Sequence, residues 1–427
     1  MAYSAGPIVS GMSYIELPVH RLDRARIPVV VLGGINVTRT VGLAGIPVVV
    51  ASADPEEPAF SSRYCVGRCQ LPPLKTGLPA VEALVTIGDR IANAFGARPL
   101  LLTGSDDGLE LIGAHRERLS RYFRFLMADT EVSNALIAKD RFQSLALRRG
   151  LPVPRALDWD GDAPGSVRAA TGPVLVKPKV KFDWHQSTLA KRLFDDGDGK
   201  ARIFESGAAA LAEPAIAIYR DQLTVQEYVP GGDGDLWSYH GFADEKGEVL
   251  ASFIGRKIRT YPTLTGESAY IELAKDEALS RLGREVARKL PLPGMFKMDF
   301  KRDPASGRWY LLEINARCNL WHYLGAANGV NLAAAAYEYL ARGSRPRQPE
   351  YAPRYRWLAL ELDFKAYREL SGRGELGFAG WLASIAFSPK VYNFFSWSDP
   401  APWMRDMVRR VKRVLNRVPG RLGMAKG

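Results

Sequence analysis

Residues 295–317, MFKMDFKRDPASGRWYLLEINAR, contain the pattern from which the fold is best predicted. Polar and apolar residues alternate over 295–301 and again over 312–317, and the intervening Asp-Pro-Ala-Ser-Gly is typical of a turn. The stretch is therefore predicted to be a β-hairpin. Because alternate side chains of a strand share a face, the polar ones are expected on one side: Lys297, Asp299 and Lys301, and across from them Glu313, Asn315 and Arg317.

This polar face indicates a metal and phosphate site. Carboxylate and amide oxygens such as those of Asp299, Glu313 and Asn315 are the ligands that Mg²⁺ takes, with its other positions left to water and phosphate. The neighbouring Lys and Arg would balance anionic substrate groups. A surface hairpin with a solvated polar face is the alternative, and the spacing alone does not separate the two.

The sequence before the hairpin alternates between strand-like and helix-like segments. An apolar run over 27–32 is followed by a helix-length stretch to Leu43, a strand over 46–51, a helix over about 80–95 and a strand over 99–103. Such alternation predicts a parallel, doubly wound sheet over residues 1–135. Residues 103–107 (TGSDD) follow the last of these strands, where they form either a ligand-binding loop or a simple turn.

Short strands separated by helices predict an α+β region over residues 136–344. It ends near a basic, proline-containing linker at 342–349, and a third region covers 345–427. The predicted fold class is therefore α/β followed by α+β, with a basic helical C-terminal region.

Five short motifs occur in order along this part of the chain. They are AKDRF with Lys139, VLVKPK with Lys177, QEYVPG at 226–231, MDFK at 298–301 and LEINAR at 312–317. With these motifs the sequence resembles ATP-grasp enzymes of the carboxylate-amine ligase type, and most of all their aspartate-ligase-like branch, over about residues 26–342. The resemblance implies a doubly wound pre-ATP-grasp domain (1–135), a two-lobed ATP-grasp nucleotide-binding and catalytic domain (136–344) and a C-terminal accessory region (345–427).

The resemblance also implies roles for single residues. Lys139 and Lys177 would contact the ATP phosphates. Asp235 would bind the ribose hydroxyls, and Asp233 is the alternative candidate for that role. Arg317 would bind the acyl phosphate or its carboxylate precursor. The hinge that reads adenine would be Gln226, Glu227, Tyr228 and Val229, and the ligands of Mg²⁺ (or Mn²⁺) would be Asp299, Glu313 and Asn315.

Three further assignments rest on strand geometry. Lys297 lies two residues before Asp299 on the same face, where it would steady the developing phosphoryl charge. Lys257 and Arg259 share a face and are suited to an acidic substrate, although solvated charges on an edge strand explain them equally well. Residues 179–185 (KVKFDWH) stand where the family has a glycine-rich loop over the phosphates. Because this segment is basic and aromatic instead, the sequence does not predict how it would close over the phosphates.

The activity implied by the resemblance uses ATP to convert a carboxylate into an acyl phosphate, which an amine then attacks to give an amide, ADP and phosphate. The partners would be small carboxylate and amine substrates, such as aspartate and a cell-wall peptide, and a homodimer is left open. An ATP-grasp phosphotransferase (kinase) is one alternative, since fold does not fix the acceptor. A peripheral membrane or nucleic-acid binding protein with a vestigial nucleotide fold is the other.

The low cysteine content is typical of a protein in a reducing compartment. Its 427 residues include three cysteines, too few for a disulfide framework, and the first 27 residues do not resemble a signal peptide, so a cytoplasmic protein is expected. Much of the net charge of +12 comes from residues 403–426, which contain eight Arg and Lys residues and one Asp.

The basic segment from Trp403 onward has the pattern of an amphipathic helix. Its apolar residues recur every three or four positions as far as Val418. Such a helix binds an anionic membrane surface, here the inner face of the cell membrane, or packs its apolar stripe on the protein's own core. Nucleic acid is not expected as a partner, because Trp and Met on the apolar side favour lipid.

Overall fold

The N-terminal part of the chain builds a mostly parallel sheet. The computed structural model describes residues 14–179, 188–194 and 200–417. The strands of this first sheet are β1 (Tyr14–Glu16), β2 (Val29–Leu32), β3 (Val48–Ser52), β4 (Cys65–Gln70) and β5 (Leu100–Thr103). They lie in the order β1-β4-β3-β2-β5, with β2 to β5 parallel and β1 antiparallel at the edge.

Helices cover both faces of this sheet. The helices here are α1 (Ile35–Leu43), α2 (Leu78–Phe95), α3 (Asp106–Ala114), α4 (Arg116–Ser120) and α5 (Thr130–Ile137). Successive side chains of β2 enter two different cores, since Val30 packs in the cluster that contains α2 while Val29 and Val31 pack in the cluster that contains α1. The predicted doubly wound domain is confirmed, and the sequence pattern missed the half-buried strands β1 and β4.

A second sheet forms a small lobe of its own. After α6 (Lys139–Arg148), its strands are β6 (Ala156–Leu157), β7 (Val174–Pro178), β8 (Arg202–Phe204) and β9 (Leu223–Glu227), with the helices α7 (Thr188–Leu193), α8 (Gly207–Leu211) and α9 (Pro214–Tyr219). The strand order is β6-β9-β7-β8 and each pair is antiparallel. Val174, Val176 and Val225 on one face of this sheet pack with Leu193 and Ile216 to form the core of the lobe.

The largest sheet carries the predicted hairpin. Its strands are β10 (Leu236–Ala243), β11 (Val249–Tyr261), β12 (Glu267–Ala274), β13 (Gly294–Arg302), β14 (Trp309–Asn315), β15 (Arg356–Leu358) and β16 (Lys390–Tyr392), and its helices are α10 (Glu277–Lys289), α11 (His322–Ala327) and α12 (Leu332–Arg342). The order is β14-β13-β10-β11-β12-β15-β16. Two sheets in succession agree with the two-lobed nucleotide domain that the motifs imply.

The C-terminal region continues the largest sheet. It adds β15 antiparallel to β12 and β16 parallel to β15, so the boundary predicted at residue 344 does not coincide with an edge of that sheet. The other elements of the region are helices: α13 (Leu360–Gly372), α14 (Phe378–Ala386) and α15 (Ala401–Arg417). Within the described ranges, no helix combines the length and the apolar character needed to cross a bilayer.

A buried ion pair fastens the C-terminal region to the first domain. The Nε of Arg39, on α1, lies 2.9 Å from Oδ2 of Asp399, and both side chains are almost fully buried. The same carboxylate accepts hydrogen bonds from Ser62 Oγ and from the backbone N–H of Arg63, each at 2.8 Å. Arg39 also donates to the carbonyl of Phe394 at 2.7 Å. These contacts hold the C-terminal region against α1 and the segment before β4.

Candidate active site

The hairpin β13–β14 brings the predicted metal ligands together. Asp299 lies directly opposite Glu313, and Lys297 opposite Asn315, in the antiparallel register. The intervening Met298 is fully buried on the other face of the sheet. The expected shared polar face of these four side chains is therefore present.

Asp299 is held as a carboxylate by its neighbours. Lys297 Nζ lies 2.8 Å from one of its oxygens, and Ser238 Oγ donates to the other at 2.6 Å. Burial alone would raise the pKa of Asp299, but the positive charges of Lys297 and Lys257, together with these hydrogen bonds, outweigh burial and lower it. Asp299 is therefore ionised at neutral pH, as a metal ligand must be.

Lys297 is confined between the hairpin and an aromatic ring. Besides its contact with Asp299, its ammonium lies 4.8 Å from the centre of the Trp321 ring, which is a favourable cation–π distance. The side chain is 11% exposed. This places a fixed positive charge directly beside the predicted metal ligands.

Lys257 and Arg259 are not on one face of the sheet. The pairing of β11 with β12 is irregular between these two residues, and a bulge of this kind breaks the alternation of side chains. The charge of Lys257 interacts with that of Asp299 in the site: burial lowers the pKa of Lys257, and the Asp299 carboxylate opposes that shift. Arg259 instead forms two hydrogen bonds with Asp363 of α13, at 2.7 and 2.9 Å.

The assignment of Arg259 to substrate binding therefore does not agree with the structure. Its side chain is 5% exposed and that of Asp363 is fully buried, so the guanidinium charge is already neutralised inside the protein. The sequence expectation failed because it assumed unbroken alternation and had no means of pairing residues 104 positions apart. Lys257 alone is retained as a candidate substrate residue.

Arg317 connects the hairpin to the first domain. Its guanidinium contacts Asp106 Oδ1 at 2.5 Å, the carbonyl of Gly104 at 3.1 Å and Asn315 Oδ1 at 3.2 Å. The next residue, Cys318, donates its backbone N–H to the carbonyl of Thr103 at 3.0 Å. The loop at 103–107 thus lies against the hairpin at the carboxyl end of β5.

Lys177, on β7 of the small lobe, lies near enough to Glu313 of the hairpin for their charges to interact. Burial lowers its pKa to about 8, while the negative charge of Glu313 acts in the opposite direction. This interaction joins the two sheets that would enclose a nucleotide. Lys139 is the first residue of α6, and its side chain lies outside the described part of the chain, as do residues 180–185 of the predicted phosphate-covering segment.

The predicted adenine hinge comprises the last two residues of β9 and the two residues that follow it. Gln226 and Val229 are buried, while Glu227 is about half exposed and lies 3.5 Å from Arg155. The backbone N–H of Tyr228 donates to the carbonyl of Pro173 at 3.0 Å. The hinge segment is therefore fixed between β6, β7 and the turn that precedes β10.

The two aspartates after the hinge have different surroundings. Asp233 accepts hydrogen bonds from the backbone N–H and the hydroxyl of Thr260 and from the N–H of Leu264, at 2.6 to 2.8 Å. Asp235 accepts one from the N–H of Gly232 at 2.9 Å. Asp233 thus anchors the loop after β11, which leaves Asp235 as the better candidate for a ribose hydroxyl.

Several residues near the site were not assigned from the sequence. Lys301 donates to Tyr228 Oη at 2.9 Å, and burial lowers its pKa to about 8 against the charges of Asp235 and Asp233. His240, the strand partner of Lys297, stacks on Phe253 with ring centres 4.4 Å apart. Alternation along β10 would have placed Ser238 and His240 on the site face. The other side chains that sequence reasoning missed there are Trp321 and His322.

Comparisons with known proteins agree with this architecture. No family profile matches the chain. The structure is similar to N5-carboxyaminoimidazole synthetase from Staphylococcus aureus (TM-score 0.56, 11% identity, 78% of this chain and 81% of that one) and to L-amino acid ligase from Bacillus licheniformis (TM-score 0.52, 14% identity, 78% and 79%). The chain therefore has the ATP-grasp fold, as its motifs imply.

One curated relative is also similar in sequence. It is a D-aspartate ligase from Enterococcus faecium (strain Aus0004), which is 25% identical over 273 residues. The match covers 59% of this chain and 61% of that protein, so the chain matches about three fifths of the relative's length.

Proposed function

We propose that the protein is an ATP-dependent, ADP-forming carboxylate-amine ligase. The observation that supports this most directly is the register of the hairpin, which pairs Asp299 with Glu313 and Lys297 with Asn315, together with the charge of Lys177 acting on Glu313 from the other lobe. Two carboxylates, an amide and lysines from two lobes form the environment that phosphoryl transfer needs, because its catalysis consists of positioning and charge neutralisation.

The hairpin side chains fit a divalent cation. Asp299 is ionised, Glu313 lies across from it, and Asn315 supplies an amide oxygen one alternate position further, all hard oxygen donors. Within the described part of the chain no group of three or more His, Cys, Asp or Glu side chains is arranged to hold a metal, so the hairpin set consists of two acids completed by an amide. Bound Mg²⁺ or Mn²⁺ would neutralise the charge of the terminal phosphates.

The nucleotide would lie between the small lobe and the large sheet. We assign the adenine edge to the hinge at 226–229, the ribose to Asp235 and the phosphates to Lys177, with Lys139 added on its motif. An ammonium suits this role because it is a flexible point charge. The fold supports ATP as the nucleotide, since a solved N5-carboxyaminoimidazole synthetase of similar structure is described as an ADP complex.

The proposed reaction has two steps. A carboxylate oxygen of the substrate attacks the γ-phosphorus, the bond to the β-phosphate oxygen breaks, and ADP leaves. The amine nitrogen then attacks the carbonyl carbon of the acyl phosphate, phosphate leaves with the electrons of the C–O bond, and the amine loses a proton to water. Lys297 and Arg317 stand where they would stabilise the negative charge of these steps.

For the carboxylate we propose an acidic amino acid, with D-aspartate as the first candidate and an amine on a cell-wall peptide as the acceptor. Lys257 supports an acidic substrate, because its charge acts on Asp299 in the site and would bind a second carboxylate. The D-aspartate ligase relative supports the same choice.

The test is phosphate release from ATP and Mg²⁺ with D- and L-amino acids and peptide amines, with mass spectrometry of the products. Release that requires both a carboxylate and an amine, and that yields an amide, is the expected result. The Glu313→Gln variant is expected to lose at least about 100-fold in kcat, as electrostatic groups of this kind typically do. The control is Glu361→Gln, an exposed position on α13, which should behave like the wild type.

Two results would contradict the proposal. A phosphorylated product that forms without any amine would show a phosphotransferase of the same fold. Equal activity of the Glu313→Gln and Glu361→Gln variants would show that Glu313 of the hairpin does not contribute to catalysis. Release that requires L- rather than D-aspartate would change the substrate while leaving the ligase assignment in place.

A further inference from the structure

The helix α15 packs on the protein through its polar side. Pro402 is buried, Asp406 is 10% exposed and Arg409 is 25% exposed, and these three positions follow one another at helical spacing. Arg409 also lies 3.0 Å from Glu56, next to the turn Pro58–Ser61 against which the helix packs. The side of the helix that faces the first domain is therefore the one with the ion pairs.

The apolar stripe of α15 consequently points outward. The members whose side chains the structure describes are exposed by 37 to 57%: Trp403, Met404, Met407, Val408 and Val411. For these described members, the result excludes the alternative, left open by the sequence, that the stripe packs on the protein's own core. An outward row of large apolar side chains on a helix that is already docked indicates a surface with a partner.

An aromatic cluster extends this stripe. The ring of Phe395 lies 5.3 Å from that of Trp403 and 4.7 Å from that of Trp397. Trp397 is 84% exposed. We call Trp397 together with the five members of the α15 stripe the outer face. Tryptophan side chains of this kind are enriched where one end of the ring contacts lipid and the other contacts water.

Positive charge borders the outer face. Arg405 and Arg410 are exposed on α15, and in the sequence Lys412, Arg413 and Arg417 continue the same helix. Asp406 is the single acid of the helix, and it is occupied by Arg409 and Arg410 at 2.7 Å each. The outer face thus joins a large apolar stripe to a cationic rim.

We propose that the outer face binds an anionic lipid bilayer, with α15 lying in the plane of the membrane surface. This combination of an apolar stripe, interfacial tryptophans and arginines is what such binding requires. Nucleic acid would engage the arginines but would leave the apolar stripe in water. A second copy of this chain would bring two arginine-rich helices together, which like-charge repulsion disfavours.

The proposal goes beyond ligase activity and does not depend on it. The ATP site lies on the hairpin β13–β14 and in the small lobe, whereas α15 packs against the first domain at residues 56–61. Changes on the outer face are therefore expected to alter membrane binding and to leave ATP turnover in solution unchanged. An experiment can thus contradict the membrane proposal without contradicting the ligase proposal, and the reverse.

The test is sedimentation of the full-length chain with vesicles of phosphatidylcholine alone or with phosphatidylglycerol added. Binding is expected with the anionic vesicles, and the double variant Arg405→Gln/Arg410→Gln should lower the partition coefficient about 30-fold, at about 1 kcal/mol for each basic residue. Raising the salt from about 0.1 M to about 1 M should weaken binding as the screening length falls from ~10 Å to ~3 Å. The matched charge control is Arg148→Gln/Arg288→Gln, two exposed positions on α6 and α10.

A second pair of variants tests the apolar part. Trp397→Ser/Met404→Ser should lower anionic-vesicle binding about tenfold or more, because both side chains would be buried among lipid. The control is Leu147→Ser/Ile218→Ser, which changes side chains that are 59% and 62% exposed elsewhere. Unchanged thermal unfolding in all variants shows that each is folded.

Three outcomes would overturn the proposal. Equal behaviour of the outer-face variants and their controls would show that the outer face does not contact lipid. Salt-dependent binding to DNA that falls with the arginine variants but not with the serine variants would indicate nucleic acid. A dimer in sedimentation velocity that is lost in the serine variants, without vesicle binding, would indicate self-association.

Discussion

The buried pair of Arg259 and Asp363 allows structural support to be separated from substrate binding in one experiment. The two side chains are 5% and 0% exposed and share two charge-assisted hydrogen bonds. Asp363 also accepts a hydrogen bond from the indole N–H of Trp381 at 2.8 Å. The pair therefore links β11 to both α13 and α14.

Removing one partner leaves a buried charge without its counterpart. Arg259→Met leaves the carboxylate with the indole N–H alone, and Asp363→Asn leaves the guanidinium facing a neutral amide. Each change is expected to lower the free energy of unfolding by about 3 to 5 kcal/mol. The double variant Arg259→Met/Asp363→Asn contains neither charge and keeps an acceptor for Trp381. It should therefore be more stable than the sum of the single changes predicts, by about 1 to 3 kcal/mol.

The assay is urea unfolding followed by circular dichroism, together with the KM for each substrate. The expected result is a double variant that loses about 1 to 3 kcal/mol less than the sum of the two single variants and that has unchanged KM values. If the losses of the single variants simply add, the two side chains do not form the pair described. If the double variant is folded under the assay conditions but its KM for the acidic substrate rises sharply, Arg259 binds substrate and its assignment to the interior is wrong.

Two further predictions concern the nucleotide site. The lowered pKa of Lys177 predicts that kcat/KM for ATP falls above about pH 8, as the ammonium loses its proton. The Lys177→Arg variant stays charged and should move this fall to higher pH. If the fall moves in the Lys301→Arg variant instead, the assignment of Lys177 to the phosphates is refuted. Asp235→Ala should raise the KM for ATP about tenfold through the loss of a charge-assisted hydrogen bond, whereas Asp233→Ala should lower the midpoint of thermal unfolding, and the reverse pattern would exchange their roles.

The sequence predicted the hairpin well because its signal is local. Alternation over a few residues determines which side chains share a face, and the structure confirms this for Lys297, Asp299, Glu313 and Asn315. In the doubly wound domain, the predicted strands β2, β3 and β5 and the predicted helices α1 and α2 likewise lie within two residues of their expected ends, whereas β1 and β4 were missed. Such patterns need no knowledge of distant parts of the chain.

The failures have a common physical origin in long-range packing. The bulge in β11 that separates Lys257 from Arg259 leaves no clear trace in the sequence, and the partner of Arg259 lies in a helix more than a hundred residues later. The orientation of α15 was also open, because a buried apolar stripe is the usual outcome for an amphipathic helix. Here Asp406 and Arg409 face the protein instead.

The Arg39–Asp399 contact has a practical consequence for anyone dividing this chain into fragments. A fragment that stops at residue 344 would keep every strand of the hairpin and of the small lobe, yet it would expose Arg39 and Arg259 without the two aspartates that neutralise them. It would also leave β12 as an open strand edge, since β15 would be missing. Crystallisation and screening work should therefore retain the sequence through Asp399, even when only the nucleotide site is of interest.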